Sequence, residues 1–131
     1  MTGSVEQELR EFFTHYTRAK LVFLVGSFAR GSANRESDVD VAVLFGYEAS
    51  LELVDEMRES LALLLSRDVD IVVLDTAGPI MGMQALKTGV LLYAGPNDYE
   101  MFFTRTLNEY HDLKFFRKEI EESVTGRRLY A

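Results

Sequence analysis

Two short stretches place acids where a buried strand should begin: "SDVDVAVLF" from Ser37 and "RDVDIVVLD" from Arg67. In each, Asp-Val-Asp runs straight into an apolar, β-branched segment. Taking an unpaired carboxylate out of water is costly, so two acids at a strand mouth need a reason. Side chains alternate across a strand, which puts Asp38 and Asp40 on one face, their Cα atoms about 7 Å apart. Carboxylates converging from one face can hold a pair of divalent cations about 3.5–4 Å apart. Without cations such a pair repels, and at least one pKa rises. For either acid taken alone, a solvated strand entrance is the better account.

The residues upstream weigh on that choice. The apolar run "LVFLV" stops at Gly26-Ser27, just before a turn of helix, and ten residues separate Ser27 from Asp38. Glycine lets a phosphate approach the backbone, and the free N–H groups of a helix start favour an anion. The Ser27 hydroxyl adds a donor for a terminal phosphate. By itself a Gly-Ser pair is more often just a turn. Arg30 and Arg35 lie in the same loop. They are placed either to neutralise phosphates or to pair with Glu36 and the carboxylates. Ser37 can donate to phosphate or cap the turn.

Taken together, "GSFARGSANRESDVD" resembles the Gly-Ser-x10-Asp-x-Asp signature of the DNA polymerase β-like nucleotidyltransferases. The resemblance covers Leu21 to Leu74, and the short chain narrows it to the minimal nucleotidyltransferase (MNT) antitoxins that accompany HEPN-domain toxins. "EYHDL" in the last helix is similar to the same proteins. This likeness implies that Asp38, Asp40 and Asp70 are the catalytic carboxylates and ligands of two Mg²⁺ ions. Asp38 and Asp40 would hold the nucleotide's metal, Asp40 and Asp70 the second one, with Asp70 helping to deprotonate the acceptor. Gly26, Ser27, Arg30 and Ser37 would bind the nucleotide. Asp68 would be a solvated bystander, because the pattern asks for one carboxylate on the later strand.

The implied reaction is transfer of AMP from ATP to a tyrosine hydroxyl of a partner HEPN RNase toxin, which silences it. Two alternatives accompany it: an inactive antitoxin that inhibits by binding, and an enzyme acting on a small molecule such as an aminoglycoside. Arg105 and His111 imitate the Arg-x4–6-His motif of the HEPN ribonucleases themselves. Six residues along a helix turn about 240°, so the two would not share a face.

The elements that must position these groups follow from periodicity. Val5, Leu9, Phe12, Phe13 and Tyr16 mark an amphipathic helix from Ser4, capped by Ser4 with Gln7, to about Thr17. Strands are predicted at Leu21–Val25, Asp38–Phe45, Val69–Leu74 and over "VLLYA". Helices are predicted at Ser50–Ser66, over "GPIMGMQALKTG" and from Asn97 to about Val124. The last would bury Phe103, Leu107, Tyr110, Leu113, Phe116, Ile120 and Val124. Beside that stripe, Met101, Phe102 and Phe115 would widen the core face or form a partner surface, and the tail from Thr125 would be mobile. The expected fold is α+β (α/β): a small mixed β-sheet of about four strands with helices covering mainly one face. It is a polymerase β-like palm with a long C-terminal helix. One domain over 1–131 is expected, with its core at about 19–95 and the C-terminal helix at about 97–124.

Composition excludes other classes. A chain of 131 residues with 47% hydrophobic and 27% charged residues reads as one globular unit. No apolar run is long enough for a membrane span, and the N-terminus lacks a signal peptide's pattern. Absence of cysteine removes disulfides and thiolate chemistry, so the expected compartment is the cytoplasm. The only histidines are His15 and His111, each expected at the boundary of its helix, so a Cys/His zinc site is not available. A net charge of −7 argues against direct nucleic-acid binding, though a nucleotide neutralised by metal ions remains compatible.

Overall fold

The computed structural model describes residues 2–16, 18–34 and 36–130, with side chains described at 5–16, 18–34, 36–114 and 117–122. Ten elements follow one another: α1 (Thr2–Thr14), β1 (Leu21–Val25), α2 (Gly26–Arg30), β2 (Val39–Leu44) and α3 (Leu51–Leu65). Then come β3 (Val69–Val73), α4 (Leu74–Ala77), α5 (Pro79–Thr88), β4 (Val90–Ala94) and α6 (Asp98–Tyr130). The strands form one sheet in the order β3-β2-β1-β4. β1 runs antiparallel to both neighbours, whereas β2 and β3 are parallel, with α3 as their crossover.

The central strands explain their own sequences. Every residue of β1 is buried, and β2 is buried except at Asp40. A strand covered on both faces reads as a continuous apolar run instead of an alternation. Val22, Leu24, Val39, Val41 and Val43 pack on α1 through Leu9 and Phe13, and on α3 through Met57 and Leu61. Leu21, Phe23, Ala42 and Leu44 face the other way, onto Leu74, Ala85 and Phe102. Helices therefore cover both faces, not mainly one. The clue lay in β1, where residues of both parities are large and apolar.

Boundaries shift where local chemistry decides them. The Ser50 hydroxyl accepts the Leu53 N–H at 3.1 Å, so Ser50 caps α3 from outside. α1 begins at Thr2, which places Ser4 in the first turn and not at the cap, and it ends at Thr14; Thr17 lies outside the described residues. Leu74 leaves the strand to open α4, a short helix that periodicity did not reveal. Its Asp75 carboxylate accepts the Phe45 and Gly46 N–H groups at 2.9 and 2.8 Å, tying the end of β2 to the end of β3.

α6 departs furthest from expectation. Its backbone stays helical to Tyr130, through the segment expected to be a mobile tail. The face turned to the core carries Phe102 and the buried Thr106, while Phe103 is 43% and Ile120 48% exposed. Leu107, Tyr110 and Leu113 are half-buried, Met101 is exposed, and Phe115, Phe116 and Val124 lie outside the described side chains. His15 is exposed just past the end of α1, whereas His111 is exposed well inside α6 and not at a helix boundary. No helix among the described residues is long and apolar enough to cross a membrane.

The core assignment predicts a contrast on one helix. Leu61 is fully buried and Leu63 is 85% exposed. Leu61→Ala should cost about 2–5 kcal/mol in urea denaturation, and Leu63→Ala no more than about 0.5 kcal/mol.

Candidate active site

Chain direction gathers the site. β2 and β3 are parallel, so their first residues lie at the same end of the sheet, and antiparallel β1 finishes at that end. The register sets Asp40 opposite Val25 on one side and opposite Asp70 on the other. Alternation turns both aspartates to the face carrying Phe23 and Ala42. Gly26 follows directly, with φ +73°, a left-handed conformation that favours glycine. A Cβ added there would press into the Asp40 carboxylate, whose Cγ would stand only 3.2 Å away. Conformation and contact thus both require glycine beside Asp40.

Asp40, Asp70, Gly26 and Arg30 line one cavity of about 540 Å³, together with Val25, Val72, Met81, Gln84 and Thr88. Burial pushes the Asp40 carboxyl above its ordinary pKa, and the like charges of Asp70 and Asp38 push it further. The Arg30 guanidinium opposes the rise, and a side-chain hydrogen bond with Asp70 adds to it. Two carboxylates crowded on one face are oxygen ligands whose mutual repulsion a cation would relieve. The available ligands are carboxylates with no Cys or His among them, which suits a hard ion such as Mg²⁺.

The other expected residues are distributed differently. Asp38 is exposed and lines a neighbouring groove with Ser37, Asp68 and Glu59, while still adding its charge to the field at Asp40. Among the described residues, no three His, Cys, Asp or Glu side chains already stand close enough to hold a metal ion. Ser37 turns back on its own loop, its Oγ accepting the Asn34 N–H at 2.8 Å. Ser27 is half-buried at the start of α2, and its carbonyl accepts the Ser32 N–H at 3.0 Å. Arg35 lies outside the described residues. The Arg67 guanidinium donates to the Asn34 and Ser37 carbonyls, each at 3.4 Å, and covers the Phe28 ring, bracing the loop ahead of Asp38.

Sequence reasoning missed the α5 wall. Met81, Gln84 and Thr88 recur at helical spacing and form the α5 side of the cavity. About a quarter turn around the helix lie Gly82 and Ala85, both buried. At Gly82 an added Cβ would come within 2.7 Å of the Thr106 methyl, so α5 and α6 meet at a distance only glycine allows. The signal available in advance was this pairing of a small-residue side with a polar one.

Strand order, carboxylate placement and the Gly26 turn define a polymerase β-type nucleotidyltransferase. Residues 7–98 match the family described as Polymerase beta, Nucleotidyltransferase, and the chain belongs to that family. It is 32% identical over 107 residues to the protein adenylyltransferase MntA of Shewanella oneidensis, covering 82% of this chain and 77% of that one. A toxin–antitoxin crystal structure with AMP-PNP superposes with a TM-score of 0.76 at 29% identity, over 92% of this chain and 98% of that chain. A tri-AMPylated Shewanella oneidensis HEPN toxin in complex with its MNT antitoxin gives a TM-score of 0.72 at 26% identity, over 95% of this chain and 99% of that chain.

The raised Asp40 pKa makes a signed prediction. Its folded value lies above the unfolded one, so the fold favours protonated Asp40. That stabilisation is complete below the unfolded pKa and is lost as pH rises through the folded one. In EDTA, Asp40→Asn should therefore melt at a higher temperature than the parent at pH 7. The gap should narrow as pH falls towards 4, about the unperturbed Asp pKa, and thermal unfolding at both pH values checks it.

Proposed function

We propose that this nucleotidyltransferase is an antitoxin that transfers AMP from ATP to a tyrosine hydroxyl of a partner HEPN RNase toxin. The observation that carries the reading is the Asp40–Asp70 pair, set side by side in register next to Gly26 and within one cavity with Arg30. The likeness to an adenylyltransferase and to antitoxins in complexes with toxins supports both the chemistry and the kind of acceptor.

Each residue has a task that its position favours. Gly26 lets the triphosphate approach the backbone, and Arg30 compensates its charge. Asp38, Asp40 and Asp70 would hold Mg²⁺, which when bound supplies positive charge to the α-phosphate and the departing pyrophosphate. Asp70, the more exposed of the register pair, accepts the acceptor's hydroxyl proton at its carboxylate oxygen. The oxygen then forms its bond to the α-phosphorus while the bond from that phosphorus to the bridging oxygen breaks, and pyrophosphate leaves.

One observation favours a second reading, an antitoxin that only masks its toxin: Asp38 faces the neighbouring groove and Ser37 is engaged within its own loop. Labelled ATP with Mg²⁺ and a HEPN-domain toxin as partner separates the two. Label should appear on the partner's tyrosine and fall by at least about 100-fold with Asp70→Asn, and likewise with Asp40→Asn. An unlabelled partner that is inhibited equally by parent and variants would establish masking.

A further inference from the structure

The cavity at Asp40 and Asp70 has two chemically unlike ends. Among the described residues Arg30 is its only cationic lining residue, and it sits with Gly26 on the α2 side. The α5 side is uncharged, made of Met81, Gln84 and Thr88 with Val72 from β3. A polyanion belongs at the first end. The second offers apolar surface and one side-chain amide, which suits a neutral, flat group with hydrogen-bonding edges.

We propose that this α5 wall is the nucleoside subsite, with Met81 and Val72 bearing the base and the Gln84 amide reading its edge in favour of adenine. The inference rests on the nucleotidyltransferase reading, since it takes the triphosphate to lie at Gly26 and Arg30. The Gln84 amide has an acceptor oxygen and donor hydrogens, the complement of adenine's N6–H and N7. Its presentation is built in. Gly82 seats α5 against Thr106 and Phe102, which fixes the rotation of the helix and sends its polar side toward the carboxylates. Thr88, one turn on, donates its hydroxyl to the Gln84 carbonyl at 2.8 Å, closing the end of the helix beneath that side chain. The groove at Asp38 and Asp68 shares none of these residues.

Calorimetric titration of the full chain with Mg²⁺-ATP, Mg²⁺-GTP and Mg²⁺-tripolyphosphate tests this. Gln84 is exposed, so its variants should fold, and a thermal melt verifies that they do. Gln84→Ala should weaken ATP about tenfold, the scale of one bidentate base contact, with tripolyphosphate unchanged. Gln84→Glu should move the preference from ATP toward GTP, because a carboxylate only accepts and guanine presents two donors, N1–H and N2–H. Parent-like ATP and GTP affinities in both variants would overturn the subsite and leave the nucleotidyltransferase reading standing. Wild-type protein that binds neither ATP nor tripolyphosphate would overturn that reading too, and the wild type alone would reveal it.

Discussion

Two carboxylates on adjacent parallel strands, held opposite each other by backbone register, repel at the distance the sheet imposes. The spacing of hydrogen-bonded strands, about 4.8 Å, keeps the backbones of Asp40 and Asp70 adjacent, so their carboxylates share one small region. Burial first, and then the charges of Asp70 and Asp38, make Asp40 bind its proton more tightly than an exposed aspartate does. Val39, Val41 and Val43 on β2, all fully buried, and the buried Val69 on β3 supply the cohesion that holds this pair together.

The surrounding elements are arranged to keep that end of the sheet open. Gly26 removes the side chain that would otherwise fill the space in front of Asp40. Arg67 braces the loop before β2 from the far side, reaching across to the carbonyls of Asn34 and Ser37. At the opposite end of β2, Asp75 accepts the terminal N–H groups, so the strand is anchored at both ends. α5 is brought close by the glycine contact with α6, and its polar side completes the cavity. Of these supports, Gly26 stands closest to the paired aspartates, against the Asp40 carboxylate.

Asp38 illustrates how motif and geometry can differ. Its spacing from Asp40 places it two residues earlier on the same chain, but β2 begins only at Val39. The alternation rule applies inside a strand and loses force one residue before it. Asp38 therefore reaches the site through its field, while its side chain lines the adjoining groove. The same reasoning separates the two Asp-Val-Asp triplets. In each, the second aspartate lies inside the strand and on the site face, and the first lies at the mouth, where Asp38 and Asp68 share one groove.

Elements that local chemistry specifies can be read along the chain. β1 is bounded as its apolar run and the following glycine indicate, the α3 cap follows from Ser50, and the mixed four-stranded sheet follows from the order of strands and helices. The Gly-Ser turn and the paired aspartates were legible because their spacing along the chain is itself the signal. Long-range packing instead settles that Asp40 faces Asp70, that helices cover both faces, that Phe102 and not Phe103 meets the core, and that Met81, Gln84 and Thr88 wall the cavity. Periodicity shows which residues share a face, but not which face meets which. Register and helix rotation are set by contacts between segments far apart in the chain, such as Gly82 against Thr106, and no local pattern encodes them.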